Sequence, residues 1–140
     1  MQFSAQIICN LGELISNDLQ TCWPILVERL KNEITRLTTV KAIHTIAESQ
    51  ADVELQTIFP EALPLLASFL RKNYRTLKLA SINSLLSIYK NYDKFISIDQ
   101  LKSIVIIELP ALLSENDLHI SYVSYFFYFK KQYPVNIFFN

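Results

Sequence analysis

The sequence predicts an all-α protein made of stacked antiparallel helix pairs, and three observations carry this prediction. The chain of 140 residues contains a single glycine, whereas hairpins and phosphate-binding loops depend on glycine for positive φ angles. Hydrophobic residues make up 51% of it, which is enough for a packed core. Amphipathic segments recur about every 40 residues. The length suits one domain.

The first helix of each pair carries a proline and ends in a charged turn with asparagine. These first helices are predicted in segments 19–32, 59–73 and 99–116. The first two open near Pro24 and Pro64. The turn asparagines Asn32, Asn73 and Asn116 are 41 and 43 positions apart. Asparagine tolerates the left-handed conformation that ends a helix, so its recurrence predicts three helix–helix turns.

A second helix follows each turn, in segments 34–48, 75–91 and 118–132. Each has an apolar stripe at helical spacing. The stripes consist of Val40, Ile43, Ile46 and Ala47, then Leu79, Ile82, Leu85 and Leu86, then Val123, Phe126 and Phe129. The opening residues SAQIICNLGELI look like the second helix of an earlier unit.

Two helices joined by a short turn and repeated about every 40 residues are the signature of a HEAT-repeat α-solenoid. Each pair buries its apolar face only by stacking on its neighbours. We therefore expect one HEAT-repeat segment over 1–140, with three antiparallel helix pairs and an N-terminal half repeat. The half repeat covers 1–16, the repeats cover about 17–50, 57–93 and 98–134, and an apolar tail covers 135–140.

Several single residues are assigned structural roles. Asp99 and Asp117 stand where N-caps are expected, and the Trp23 ring is expected in the core. Cys9 and Cys22 are interpreted as reduced, packed thiols of a cytoplasmic or nuclear protein. The most apolar run, at 104–113, is too short to cross a membrane.

No constellation of catalytic residues is present in the sequence. His44 and His119 do not stand at a zinc-ligand spacing and are interpreted as surface or boundary residues. The single glycine, Gly12, falls inside a predicted helix, so it supports neither a nucleophile elbow nor a phosphate loop. We predict a non-enzymatic protein without metal, cofactor or small-molecule substrate.

Basic residues cluster at the turns and are the candidate contacts for a partner. One cluster consists of Arg71, Lys72, Arg75 and Lys78, and an earlier one of Arg29, Lys31, Arg36 and Lys41. They can contact an acidic protein surface, or they can be solvated residues that favour a helix C-terminus. Lys plus Arg equals Asp plus Glu, at 13 each, which argues against nucleic acid as the partner.

An aromatic run follows the third turn. It consists of Tyr122, Tyr125, Phe126, Phe127, Tyr128 and Phe129. On a helix these side chains cover every side, which only a buried helix tolerates. Terminal repeats normally carry a polar cap, so we expect the chain to self-associate through this uncovered C-terminal repeat.

Four strings of sequence resemble one known family. They are QIICNLGE at 6–13, VERLKNEITRLTTVKAI at 27–43, LASFLRKNYRTLKL at 66–79 and ELPALLSENDLHIS at 108–121. They resemble consecutive repeats of the cullin-associated, neddylation-dissociated proteins, also known as TATA-binding-protein-interacting HEAT-repeat proteins. The resemblance covers roughly 5–121 and implies a piece from the middle of a long solenoid.

The resemblance also implies a function. Members of that family bind the unmodified cullin–RING core and promote exchange of substrate receptors on ubiquitin ligases. Two other interpretations remain: a generic HEAT-repeat adaptor for another protein assembly, and a truncated product that retains no binding. An enzyme would need a cofactor site that the sequence does not reveal.

Overall fold

The computed structural model describes residues 2–11, 16–49, 53–97, 103–104, 106–113, 116–121 and 124. All regular structure in these ranges is helical, which confirms the all-α prediction. The α-helices are α1 (Gln2–Leu11), α2 (Ser16–Lys31), α3 (Arg36–Ser49), α4 (Phe59–Phe69), α5 (Arg75–Asn91) and α6 (Leu109–Leu113). Short 3-10 helices cover Leu55–Ile58, Asp93–Phe95 and Ile106–Glu108.

The helices are arranged in two layers. The pairs α2–α3 and α4–α5 each pack together across a short turn. The first helices α2 and α4 contact each other, while α1, α3 and α5 pack side by side in the second layer. This is the HEAT-like stack of helix pairs that the period of about 40 residues predicted. The division of the whole chain into repeats stays a prediction.

The core lies between the two layers. The stripe Val40, Ile43, Ile46 and Ala47 is fully buried, as its spacing predicted. Trp23 is also buried, at 4% exposure, which confirms its assignment to the core. Burying a large aliphatic side chain contributes about 1.5–3 kcal/mol relative to leaving it exposed. Contacts between neighbouring pairs, above all between α3 and α5, therefore contribute to the core.

The stripe predicted on α5 is partly wrong. Leu79 and Leu86 are only half-buried, while three serines of α5 are buried. These serines are Ser81, Ser84 and Ser87. They lie on the helix that packs most extensively against α3. Small side chains let two helices approach closely, and a search for apolar periodicity does not detect them.

Pro24, Cys22 and Cys9 lie in environments that only partly match their predictions. Helix α2 begins at Ser16, so Pro24 lies inside it and does not mark its start. The Pro24 ring is exposed, and the helix continues past it to Lys31. Cys22 is exposed on the same helix, so its assignment as a packed thiol was wrong. Cys9 is half-buried, and its thiol donates to the Thr45 carbonyl at 3.7 Å.

Several expectations fall on residues outside the described ranges. These are Gly12, Asp99, the aromatic run at 122–129 apart from Ser124, and the tail at 135–140. The expected self-association through the aromatic run therefore stays a prediction. None of the described helices is both long and apolar enough to cross a membrane.

Candidate protein-binding surface

The first turn is built by hydrogen bonds from its own side chains. The Asn32 amide oxygen accepts from the Ile34 N–H at 2.9 Å, which is the local bond that makes asparagine favourable in a turn. The Thr35 hydroxyl donates to the Arg29 carbonyl, one of the last carbonyls of α2, at 2.7 Å. Both bonds lie within the first helix pair and involve no residue of a neighbouring unit.

The successive turns lie in a row at one end of the helices. The guanidinium carbon of Arg36, the first residue of α3, lies 5.0 Å from the ring centroid of Phe69, the last residue of α4. Arg75, the first residue of α5, pairs with Asp117 in the third turn. These two contacts connect the first turn to the second and the second to the third. We call this end of the stack the turn edge.

The basic residues of the first turn are largely engaged within the fold. The ammonium group of Lys31 lies 2.9 Å from Glu28 and 3.2 Å from Glu61, which belongs to the next helix pair. These hydrogen bonds, with Glu28 first, raise the pKa of Lys31. Arg36 pairs with Glu33 at 3.4 Å while its guanidinium group covers the Phe69 ring.

The second turn makes equivalent contacts with the third unit. Arg71 Nε donates to Glu108 Oε2 at 2.7 Å, and Nη2 donates to the other carboxylate oxygen. Glu108 is only 9% exposed, so this pair shields a carboxylate from water. The hydrogen bond to Glu108 raises the pKa of Arg71. Its geometry is the two-point contact that arginine makes with a carboxylate.

The pair of Arg75 and Asp117 is also two-point. Arg75 Nη2 lies 3.3 Å from Asp117 Oδ1, and Nε donates to Oδ2. Asp117 Oδ1 also accepts from the N–H groups of His119 at 3.0 Å and Ile120 at 3.3 Å, which confirms its prediction as an N-cap. The Arg75 hydrogen bond lowers the pKa of Asp117, and the two backbone bonds add to the effect. The same pairing raises the pKa of Arg75.

The structure thus separates the eight predicted contact residues into two groups. Arg36 contacts the Phe69 ring of the second unit, and Lys31 pairs with Glu61 of that unit. Arg71 and Arg75 pair with Glu108 and Asp117 of the third unit. Lys78 is half-buried on α5 and also has a partner. The remaining three have exposed side chains and no ion pair within the part of the chain that the structure describes. These three are Arg29, Lys41 and Lys72.

An open groove runs between α3 and α5 and begins at the turn edge. The lining residues are Lys41 and His44 of α3 and Arg75, Thr76, Leu79, Ala80 and Asn83 of α5. Two of them are cations, and none is a carboxylate. The half-buried Leu79 and Ala80 supply apolar surface. Because Arg75 is paired with Asp117, the groove combines one cation that is unpaired among the described residues, Lys41, with an apolar patch.

A polar network fixes the two helices that form this groove. Ser87 Oγ donates to Glu48 Oε1 at 2.6 Å and lies 2.8 Å from His44 Nδ1. The Asn83 carbonyl, 3.0 Å from the same hydroxyl, is a second acceptor on its own helix. Further along, the Asn91 amide donates to the Ala47 carbonyl at 2.8 Å. His44 is half-buried, as expected for a boundary residue.

The groove itself was not found from the sequence. Among its residues, only Lys41 and Arg75 were candidate contacts. The signal that could have revealed it is the offset of 39 positions between Lys41 and Ala80, which places α3 and α5 side by side in register. In the described residues, no group of three His, Cys, Asp or Glu side chains is placed to hold a metal ion.

Comparison with known proteins identifies the family. No protein-family model matches the chain. Cullin-associated NEDD8-dissociated protein 1 of Drosophila melanogaster is 44% identical to it over 119 residues, which are 85% of this chain and 10% of that protein. The matched stretch belongs to the cullin-associated NEDD8-dissociated family.

Two further members agree with this. Cullin-associated NEDD8-dissociated protein 2 of Rattus norvegicus is 46% identical over 104 residues, covering 74% of this chain and 8% of that protein. Protein 1 of Dictyostelium discoideum is 40% identical over 121 residues, covering 86% and 10%. The chain spans about a tenth of the length of the curated relatives it matches. The resemblance to the cullin-associated family that four strings of sequence indicated is confirmed.

Proposed function

We propose that this chain is a non-catalytic, protein-binding scaffold segment that contacts an unmodified cullin–RING core. In that role it would support the exchange of substrate receptors on ubiquitin ligases in the cytoplasm or nucleus. The relatives are named as cullin-associated proteins, and the matched stretch covers most of this chain. The fold supports the proposal because stacked helix pairs offer long surfaces and grooves for protein partners.

The observation that carries the proposal is the α3–α5 groove. Lys41 is exposed at its border and has no ion pair within the described ranges, so it is available to a carboxylate of the partner. Arg29 and Lys72 lie at the turns and are proposed as further contacts. We assign Arg71 and Arg75 to orienting neighbouring units, since both are paired with acids of the third unit.

A binding titration against a purified unmodified cullin–RING core tests this function. The neddylated core and an unrelated HEAT-repeat fragment serve as controls. We expect saturable binding that is weaker for the neddylated core. A folded chain that binds the cullin core no better than the unrelated fragment does would overturn the cullin assignment and favour an adaptor for another assembly.

Two charge reversals test the groove separately. Lys41→Glu should weaken binding to the cullin core roughly tenfold, since it replaces a favourable charge pair by a repulsive one. Lys90→Glu makes the same change on an exposed residue in the last turn of α5, outside the groove, and should leave the affinity unchanged. Equal binding by both variants would move the contact surface away from the groove.

A further inference from the structure

Large apolar side chains are exposed at each of the three turns. Ile34 is 90% exposed, Tyr74 52% and Leu118 84%. Ile34 and Leu118 are the two most exposed large apolar residues in the described part of the chain. Single exposed apolar residues are common on protein surfaces, but here one stands in or beside each of three successive turns.

The turns place these side chains in one row. Ile34 comes two residues after Asn32, Tyr74 directly follows Asn73, and Leu118 directly follows the capping Asp117. The contact of Arg36 with Phe69 and the pair of Arg75 with Asp117 hold adjacent turns together. The three apolar side chains therefore lie along the turn edge.

Folding does not require apolar side chains at these positions. Ile34 contributes its N–H to the Asn32 side chain, a bond that any residue except proline can make. Tyr74 precedes α5 with extended backbone angles and makes no side-chain cap. The described hydrogen bonds of these two turns therefore do not depend on the apolar side chains of Ile34 and Tyr74.

The charge available on this edge is positive. The nearby carboxylates of Glu33 and Asp117 are paired with Arg36 and Arg75, and those of Glu28 and Glu61 share Lys31. Arg29 and Lys72 are exposed and have no ion pair within the described residues. A second copy presenting the same edge would be repelled, whereas an acidic partner would be attracted.

The spacing of the row selects the conformation of the partner. Packed helices lie about 8–10 Å apart, so successive turns advance by roughly that distance. A polyproline II segment rises about 3.1 Å per residue with three residues per turn, so that every third side chain points the same way about 9 Å further on. A regular extended ligand can thus contact all three turns in register.

We propose that the turn edge binds an extended, acidic segment of another protein that carries an apolar side chain at every third position. Its apolar side chains pack against Ile34, Tyr74 and Leu118, and its carboxylates pair with Arg29 and Lys72. This surface adjoins the groove at Arg75 and shares Arg29 and Lys72 with the proposed cullin contacts, but its test uses a peptide and no cullin.

The probe is a fluorescent peptide of four Leu-Pro-Glu repeats, titrated with the full chain and followed by anisotropy. We expect saturable binding that weakens with added salt. A Ser-Pro-Glu peptide lacks the apolar contacts and a Leu-Pro-Lys peptide reverses the charge, so both should bind at least roughly tenfold more weakly. No saturable binding of the Leu-Pro-Glu peptide would overturn the proposal.

Variants locate the binding site. The double variant Ile34→Ser with Leu118→Ser should weaken Leu-Pro-Glu binding roughly tenfold with an unchanged helical circular dichroism spectrum. Ile25→Ser removes an apolar side chain that is 59% exposed on α2, away from the turns, and should not affect binding. Equal affinity for all variants would refute the turn edge as the site. Self-association that is lost in the double variant would instead assign the row to a second copy.

Discussion

Arg75 and Asp117 join the turn of one helix pair to the turn of the next across 42 positions of sequence. The same carboxylate of Asp117 caps the helix that follows it. One side chain therefore both starts a helix and fixes the orientation of that helix relative to its neighbour. The pair with Arg75 requires the carboxylate to be ionised. The cap requires only an acceptor oxygen.

The stability of the chain should depend on the protonation of Asp117. Its folded pKa lies below the ordinary value of 3.8, so the stabilisation is fully present above the unfolded pKa and is lost as the pH falls through the folded pKa. Asp117→Asn keeps an acceptor for the cap but removes the charge. We expect the variant to be less stable at neutral pH and to lose less stability as the pH falls below the ordinary pKa of 3.8.

Urea denaturation at a series of pH values measures this difference. Glu54→Gln is the matched control, because Glu54 is exposed and makes no side-chain cap at the start of its 3-10 helix. Identical pH dependence in Asp117→Asn and the unaltered chain would show that the pair with Arg75 does not stabilise the fold.

The pair of Arg71 and Glu108 should matter more for stability than the exposed lysine beside it. Arg71→Met leaves the largely buried Glu108 carboxylate without its guanidinium partner, which is unfavourable because an unpaired charge stays poorly hydrated. Lys72→Met removes a charge that has no ion pair in the described ranges. Thermal unfolding should show a clear fall in Tm for the first variant and little change for the second. Equal Tm values would contradict the role of the pair.

Two buried serines of α5 should respond oppositely to replacement by alanine. Ser87→Ala removes the hydroxyl shared by His44 and Glu48 and should destabilise the chain by about 1 kcal/mol. Ser84 is fully buried, and its hydroxyl has no hydrogen-bond partner within the described residues. Ser84→Ala should therefore be neutral or stabilising. Urea denaturation compares the two, and an equal loss of stability in both would refute the network.

The sequence predicted the parts of the fold that depend on local pattern. The stripe around Val40 and Ile43 was found because apolar spacing alone determines which face of α3 is buried. The cap at Asp117 was found because a side-chain acceptor at that position has a local partner. The buried serines of α5 were missed, since their burial depends on how closely α3 approaches.

The candidate surface was harder to predict than the fold. The basic residues were recognised, but the sequence did not reveal that Arg71 and Arg75 pair with acids 37 and 42 positions away. Such pairs depend on how one unit is stacked on the next. The apolar residues at the turns, Ile34 and Leu118, were also not singled out, because a lone exposed aliphatic residue has no periodic signal until the turns are aligned.

The two ends of the helices are held together by different kinds of bond. At the turn edge, neighbouring units share ion pairs, such as Arg71 with Glu108. Near the opposite end, the Asn91 amide donates to the Ala47 carbonyl, a neutral bond that dissolved ions hardly weaken. Ionic strength should therefore loosen one side of the stack more than the other. Added salt would then change the curvature of the stack, because one side of it loosens more than the other.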